Sequence, residues 1–191
     1  MNVVNLSYPL ETERLLLRPF TPGDFDALYS YQSRPDVTRY LYWGPRTEGD
    51  VRDALEKKLA CTAIRTEGDV LSLAVVLKGS NELVGDFILH LTSLEHQQAE
   101  IGYIIHPDHA GRGYATEAGC VLMRIAFQDL GLHRVVGRLD ARNSASGRVL
   151  EKLGMRQEAH LVENEFVKDE WQSEIDYAIL AREWRDLRRA P

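Results

Sequence analysis

Cysteine is scarce in this sequence, and its scarcity excludes two kinds of scaffold. The 191 residues include two cysteines, Cys61 and Cys120, which are spaced neither as a metal site nor as a disulfide framework. A chain without such crosslinks depends on its hydrophobic core, and 191 residues of which 44% are hydrophobic suffice for one domain of ordinary size. We therefore expect a single domain over residues 1–191 in a reducing cytoplasm.

Long apolar runs and an excess of positive charge are also missing. No apolar stretch approaches the roughly 20 residues of a membrane-spanning helix. The N-terminal sequence MNVVNLSYPLETER lacks the basic start and apolar core of a signal peptide. Acidic residues outnumber Lys and Arg by 29 to 23, for a net charge of −6. The sequence therefore predicts no membrane partner and no general nucleic-acid binding, and its charge mildly favours a cationic substrate.

Strand-like and helix-like segments alternate along the chain without a linker or a repeat. Helices are predicted to begin after Thr21, Thr47 and Asn143, the second running to about residue 65, and a fourth is predicted over 114–130. Strands are predicted over residues 14–20, 70–77, 83–91, up to 105, 133–139, 157–167 and 171–180. The fold class is therefore α/β: a mixed, mostly antiparallel sheet of about seven strands, with helices on both faces and one β-α-β unit whose strands are parallel.

The most informative segment is EIGYIIHPDHAGRGYATEA, residues 100–118. A strand that ends at Ile105 leads through the loop Gly111-Arg112-Gly113 into a helix. Glycine permits tight turns, and the first amides of a helix have no partner within the helix. These amides and the positive end of the helix dipole suit a phosphate. An ordinary turn before a helix has the same pattern, so both interpretations stay open at this point.

Two other segments carry residue types that are common in functional sites. The run His106-Pro107-Asp108-His109 has metal-ligand residue types without a recognised spacing, and we predict no metal site there. The run RYLYWGP, residues 39–45, places three aromatic residues in an irregular stretch. It indicates either a loop that borders a substrate cleft or buried loop packing.

Four segments together resemble the GNAT N-acetyltransferase superfamily, and within it the ribosomal-protein N-acetyltransferase (RimJ/RimL-type) branch. ETERLLLRPF at 11–20 resembles that branch's first strand, and AEIGYIIHPDHAGRGYATEA at 99–118 resembles its acetyl-CoA motif, Q/R-x-x-G-x-G/A. NSASGRVLEKLGM at 143–155 resembles the second cofactor-proximal motif, and DEWQSEIDYAILAREW at 169–184 the closing strand pair. Ala110 replaces the usual Gln or Arg, and Met155 replaces the commoner Phe.

The resemblance implies that the chain binds acetyl-CoA and no metal. The pyrophosphate would lie on the glycine loop, and the pantetheine arm would pair with the preceding strand end, where two parallel strands splay apart. Arg112 would add a charged contact or point into solvent, and Asn143 would meet the pantetheine as well as cap its helix. The cofactor-binding residues expected on this basis are Ile104, Ile105, His106, Gly111, Arg112, Gly113, Tyr114, Ala115, Thr116, Asn143 and Ser146.

The reaction implied by the resemblance is direct attack of a primary amine on the thioester, without an acyl-enzyme. Glu100 is the candidate base, with a structural hydrogen bond as its alternative role, and Asp86 is the fallback base. A backbone amide near Ile104 would stabilise the oxyanion. Ser146 would protonate or steady the departing thiolate, and its alternative role is to cap backbone groups in the first helical turn.

The acceptor amine is left open by the sequence. A protein N-terminal α-amine competes with a small molecule such as a polyamine, an aminoglycoside or an amino-acid-like amine, and residues 31–43 and 91–98 are expected to select among them. A non-catalytic acyl-CoA-binding module is the alternative function. Dimers are frequent in the family, so a homodimer is compatible with the resemblance.

Overall fold

The computed structural model describes residues 6–189, whose strands form one eight-stranded sheet in the order β1-β2-β3-β4-β5-β6-β8-β7. The strands are β1 Leu10–Glu11, β2 Leu15–Arg18, β3 Val70–Leu77, β4 Leu83–Ser93, β5 Gln98–Ile105, β6 Arg134–Asp140, β7 Arg156–Val167 and β8 Glu170–Leu180. The helices are α1 Phe25–Gln32, α2 Pro35–Thr38, α3 Glu48–Ala60, α4 Tyr114–Arg124, α5 Ser144–Lys152 and α6 Ala181–Leu187. The predicted α/β class with a mixed, mostly antiparallel sheet is confirmed, and the eighth strand is the two-residue β1.

Helix starts agree with the sequence more closely than helix ends. The Thr47 side chain accepts the amide of Asp50, and the Asp50 carboxylate accepts the amide of Thr47 at 2.9 Å, which is the predicted cap. The prediction that this helix runs to about residue 65 is wrong. It ends at Ala60 because the carbonyl of Cys61 already accepts the amide of Ser72 at 2.7 Å, which draws the chain alongside β3.

Each face of the sheet has its own buried cluster. In β3 successive side chains point to opposite faces, so Leu73 and Val75 belong to one cluster while Ala74 and Val76 belong to the other. The first cluster packs under α4, α5 and α6, and the second packs under α1 and α3. Because β3 is buried between two helical layers, its residues are apolar on both faces except for Ser72.

The two parallel strands of the β-α-β unit pair over three residues and then separate. The register joins Gln98 to Arg134, Ala99 to Val135 and Glu100 to Val136. Beyond this point β5 continues along β4, and β6 continues along β8. Each strand therefore keeps one neighbour while the edges between them part, which leaves an opening through the sheet.

Gly85 lies where β4 is tightly packed against β5. A Cβ atom at this position would overlap the carbonyl oxygen of Ile104 and lie 2.9 Å from Cδ1 of Ile105. We predict that Gly85→Ala lowers the free energy of unfolding by about 1–3 kcal/mol, because the strands must move apart. The same change at Gly49, where the nearest contact is Thr47 Oγ1 at 3.7 Å, should alter it by less than about 0.5 kcal/mol. Urea unfolding followed by circular dichroism measures both, and equal values would contradict the prediction.

Candidate active site

A cleft of about 420 Å³ opens where β5 and β6 separate. Because it passes through the sheet, side chains from both helical layers line it. Lys58 of α3 reaches it from one face, and Ser146 and Leu150 of α5 reach it from the other. The β7–β8 hairpin lines the cleft through residues that include Glu165 and Glu174.

The aromatic loop forms one wall of the cleft, which decides between the two interpretations of RYLYWGP. Residues 40–43 all line the cleft. The Tyr42 hydroxyl donates to Oε2 of Glu174 at 3.0 Å, and the Arg46 guanidinium lies 3.8 Å from the centre of the Trp43 ring. Lys168, in the turn of the hairpin, donates to the carbonyl of Thr38 at 2.8 Å. The loop and the hairpin are thus tied together across the cleft.

Glu100, the candidate base, lies at the last pair before the strands separate. Its carboxylate accepts from Nη1 of Arg138 at 3.2 Å, and its side chain is 29% exposed. Side chains alternate between the two faces of β5. Tyr103 contacts α5, whereas Asp86, the cross-strand partner of Ile104, contacts α1 and α3. Glu100 is therefore a carboxylate at the mouth of the opening, held by one arginine and accessible to water.

Asp86, the fallback base, belongs to a buried network that the sequence did not indicate. One carboxylate oxygen accepts from the Tyr31 hydroxyl at 2.7 Å, and the other accepts from Nζ of Lys58 at 2.8 Å. The Asp86 side chain is 4% exposed. The network joins α1, α3 and β4, so it holds two helices against the sheet. With both oxygens bonded, the carboxylate is less suited to accept a proton from a substrate.

Ser146 is paired with a tyrosine that sequence reasoning missed as a site residue. The Tyr103 hydroxyl lies 2.8 Å from Oγ of Ser146 and donates to the Ser146 carbonyl at 2.9 Å. Burial raises the pKa of Tyr103 to about 12, so the phenol stays protonated at neutral pH. In the contact between the two hydroxyls, either oxygen can be the donor. Strand alternation places Tyr103 toward α5, but only the tertiary structure reveals this partner.

Asn143 caps α5 as predicted. Its side-chain oxygen accepts the amide of Ser146 at 3.1 Å, and both residues line the cleft. The cap satisfies one of the free amides of the first turn and fixes the start of the helix at the separated strands. Asn143 thus caps the helix and also lines the cleft, while its contact with the pantetheine stays a prediction.

The glycine loop ends in a helix that no side chain caps. Gly111 and Gly113 have φ angles of +76° and +83°, which favour glycine, and Gly113 is the N-cap of α4. Tyr114, Ala115 and Thr116 form the first turn of α4. The amides of such a turn are available to an anion.

Arg14 fixes this loop and is a second residue that the sequence did not indicate. Its guanidinium pairs with Oε2 of Glu117 at 2.6 Å and donates to the carbonyl of Arg112 at 3.0 Å. It also lies over the ring of Tyr114 at 4.7 Å. Arg112 itself is exposed, which agrees with the alternative prediction that its side chain points into solvent. Contacts of this kind join residues about a hundred positions apart, so no local pattern signals them.

The segment between β5 and the glycine loop is only partly cleft-lining. Ile104 lines the cleft, whereas Ile105 packs against the larger buried cluster. The His106 ring lies edge-on to Tyr31 at 5.8 Å, and burial lowers the pKa of this imidazole. Nε2 of His109 lies 3.0 Å from Oε1 of Glu82. Within residues 6–189 no group of three His, Cys, Asp or Glu side chains is arranged to hold a metal ion.

One predicted wall is replaced by another. Residues 91–98 were expected to help select the acceptor, yet none of them lines the cleft. They lie where β4 turns into β5, at the end of these strands away from the opening. The β7–β8 hairpin lines the cleft in their stead. No helix in the described part of the chain is long and apolar enough to cross a membrane.

The chain is similar to known acetyltransferases over most of its length. Residues 14–156 match the family model described as "Acetyltransferase (GNAT) domain". The uncharacterized N-acetyltransferase YnaD of Bacillus subtilis (strain 168) is 32% identical over 175 residues, which cover 92% of this chain and 98% of that protein. The crystal structure of an acetyltransferase (GNAT family) from Bacillus anthracis has a TM-score of 0.82 and 34% identity, covering 90% of this chain and 98% of that chain.

A more distant structure contains ligands. It is spermidine N-acetyltransferase from Vibrio cholerae in complex with CoA and spermine, with a TM-score of 0.77 and 22% identity, covering 91% of this chain and 99% of that chain. At 22% sequence identity, this similarity shows that the two chains share a fold and nothing more.

The Asp86 network generates a stability prediction. We expect Asp86→Ala to lower the free energy of unfolding by about 3–5 kcal/mol, because the change leaves a half-buried lysine and a buried tyrosine without their partner. The control is Glu48→Ala, which removes an exposed partner 3.1 Å from Arg52 and should cost less than about 1 kcal/mol. Denaturant unfolding measures both variants. Similar losses in the two would show that the network does not hold the helices to the sheet.

Proposed function

The chain belongs to the acetyltransferase (GNAT) family, and we propose that its cleft transfers acetyl from the thioester of acetyl-CoA directly to a primary amine. The enzyme class is N-acetyltransferase, and acetyl-CoA is the co-substrate. The observation that carries the proposed mechanism is the opening between β5 and β6. It brings Glu100 and the Ser146–Tyr103 pair to one cavity from opposite faces of the sheet.

The residues around the glycine loop fit acetyl-CoA. Gly113 leaves the first turn of α4 without a side-chain cap, and the freed edge of β5 offers main-chain groups next to the cleft. We assign the pyrophosphate to residues 111–116 and the pantetheine arm to Ile104, Ile105 and His106, with Asn143 and Ser146 facing it. Acetyl-CoA supplies an activated acyl group, and the protein supplies orientation and proton transfer.

Glu100 is the base in this proposal. It is the carboxylate at the start of the opening, and one cation holds it in place while leaving it accessible to water. A protein α-amine with pKa about 8 needs about 1 kcal/mol to lose its proton at neutral pH, against about 4–5 kcal/mol for a lysine-like amine. A carboxylate that acts through a water chain is sufficient in the first case. Asp86 is the weaker candidate because Tyr31 and Lys58 already occupy its oxygens.

The Ser146–Tyr103 pair is the proton donor to the departing thiolate in this proposal. The Ser146 hydroxyl lines the cleft, and the buried phenol beside it keeps its proton at neutral pH. When Ser146 gives its proton to the thiolate, the Tyr103 hydroxyl would donate its own proton to Oγ of Ser146, and the phenolate would regain a proton from water in the cleft. The backbone amide near Ile104 remains our candidate for oxyanion stabilisation.

More than one class of amine is a candidate acceptor for this reaction. The sequence motifs resemble the ribosomal-protein branch, which implies a protein N-terminal α-amine, whereas the structurally similar Vibrio cholerae enzyme is named for spermidine. Both acceptor classes compete with an aminoglycoside and with an amino-acid-like amine. A non-catalytic acyl-CoA-binding module is the second candidate, and the paired hydroxyls at the cleft argue against it. We keep the cytoplasm as the proposed compartment and one domain as the proposed organisation.

Calorimetric titration with acetyl-CoA and desulfo-CoA, followed by a thiol-release assay on a panel of amines and N-terminal peptides, tests this function. We expect binding, and turnover with one acceptor class. Binding without turnover on any acceptor would favour the acyl-CoA-binding module. Absence of binding would contradict the assignment of the glycine loop.

Glu100→Gln tests the base. We predict that kcat/KM falls about 100-fold while binding of acetyl-CoA persists, since the amide cannot accept the proton. Glu95→Gln, an exposed change outside the cleft, is the matched control and should retain the rate. Steady-state thiol release measures both. An unchanged rate in Glu100→Gln would withdraw the assignment.

A double-mutant cycle tests the hydroxyl pair. Ser146→Ala and Tyr103→Phe should each lower kcat by at least about tenfold, and the double variant should be no slower than the slower single variant, because each change breaks the same relay. Acetyl-CoA titration of all three variants checks that the cofactor still binds. Losses that simply add, or a retained rate in Ser146→Ala, would contradict the relay.

A further inference from the structure

Arg46 is held rigidly in the wall of the cleft. Its backbone amide donates to the carbonyl of Gln32 at 3.0 Å, and its Nη1 donates to the side-chain oxygen of the same residue at 2.7 Å. Gln32 is 1% exposed, so this anchor is itself fixed. The guanidinium lies 3.8 Å from the centre of the Trp43 ring. Both the position and the plane of the charged group are therefore set before any ligand binds.

This guanidinium forms no ion pair. Within residues 6–189, Arg46 is the one half-buried arginine that is not paired with a carboxylate. Two carboxylates lie near it: that of Asp86 is bonded to Tyr31 and Lys58, and that of Asp50 is used in the cap of α3. Burial lowers the pKa of Arg46, which means that the protein does not fully compensate the lost hydration of this charge. An arginine nonetheless stays protonated at neutral pH, so an anion bound here would offset the cost.

The same cleft also carries the complementary charge. Glu165 and Glu174 of the hairpin line the same cleft, and burial raises the pKa of Glu174. An acceptor that spans the cavity would present its amine to the side of Glu100 and the hairpin and its other end to Arg46. Residues 111–116 of the glycine loop do not line this cavity, so Arg46 is separate from the expected pyrophosphate site.

We propose that Arg46 is an acceptor subsite that binds a carboxylate, and that the substrate is a small amine carrying a carboxylate, amino-acid-like in its chemistry. This inference rests on the proposed acetyl transfer to an amine. The fork of a guanidinium matches a carboxylate with two parallel hydrogen bonds, and its stacking on Trp43 presents that fork in one orientation. The ties of Lys168 to Thr38 and of Tyr42 to Glu174 bridge the cleft, which favours a small acceptor over a folded protein.

The positive charge of Arg46 also favours this substrate over a polyamine. A polyamine has cationic groups along its length, and one of them would lie against the guanidinium of Arg46. Like charges in a half-buried cleft repel, so the anion-bearing amine is preferred on electrostatic grounds.

Matched substrates isolate the contribution of the carboxylate. The probes are 4-aminobutanoate, 5-aminopentanoate and 6-aminohexanoate, each compared with its carboxamide, together with α-amino acids and their amides. The ω-amino pairs keep the reacting amine nearly unchanged. We expect kcat/KM in the thiol-release assay to be about 10–100-fold higher for the best carboxylate than for its amide, as for a hydrogen-bonded charge.

Arg46→Gln should reduce that ratio to about one, and Arg46→Lys should restore part of it as a point charge without the fork. Arg52→Gln is the control, because Arg52 is an exposed arginine of α3 that pairs with Glu48 outside the cleft, and it should keep the wild-type ratio. Acetyl-CoA titration and circular dichroism of Arg46→Gln verify that the variant folds and binds the co-substrate.

Binding in the presence of desulfo-CoA separates this inference from the proposed function. Calorimetry should give at least about tenfold tighter binding of 5-aminopentanoate or another carboxylate probe than of its amide, and Arg46→Gln should abolish the difference. That result without turnover would support the subsite and contradict acetyl transfer. Turnover with equal rates on carboxylates and amides, or with spermidine or phosphoethanolamine preferred over every carboxylate, would overturn the inference and leave acetyl transfer standing.

Discussion

The separation of β5 from β6 is the constraint on which the site depends. Three residue pairs hold the parallel strands together, and beyond Glu100 and Val136 the edges part. The sheet tolerates this because β5 remains paired with β4, and β6 with β8, over their full lengths. A continuous sheet would keep the two helical layers on separate sides, whereas the opening lets Lys58 from one layer and Ser146 from the other line a single cavity. The site thus exists because β5 and β6 stop pairing, and the sheet stays stable because each of these strands keeps its other neighbour.

The opening is useful only if its walls are rigid, and buried ion pairs provide that rigidity. Asp86 holds α1 through Tyr31 and α3 through Lys58. A second buried carboxylate, Asp24, accepts two hydrogen bonds from Arg18 at 2.8 Å each and fixes the start of α1 to β2. These charges are satisfied within the protein, so they orient the helices without drawing water into the core. Because both helices are held in place, the loop between α1 and α3 has a defined position over the cleft.

Elements defined by local chemistry could be predicted from the sequence, and elements defined by distant contacts could not. The buried strand β3 was predicted with its observed bounds, and the caps at Thr47 and Asn143 follow from side chains three residues from their partners. The end of α3 depends instead on a hydrogen bond to β3, and the fixing of the glycine loop depends on Arg14, 103 positions from Glu117. The same limit applies to the site: the motif residues were found from their spacing, whereas Tyr103 became informative only when α5 was packed against it.

The geometry divides the chemistry between two parts of the molecule. The glycine loop, α4 and Arg14 form the region assigned to the co-substrate, and they lie outside the lining of the cleft. The acceptor end is built from the aromatic loop and the β7–β8 hairpin, which meet through contacts between side chains and main-chain carbonyls. Changes in the second part can alter charge and shape without disturbing the first, since no residue of the glycine loop or of α4 lines the cleft. In this chain the second part combines an arginine without a carboxylate partner and two glutamates, a pairing of charges that suits an acceptor with both an amine and an anion.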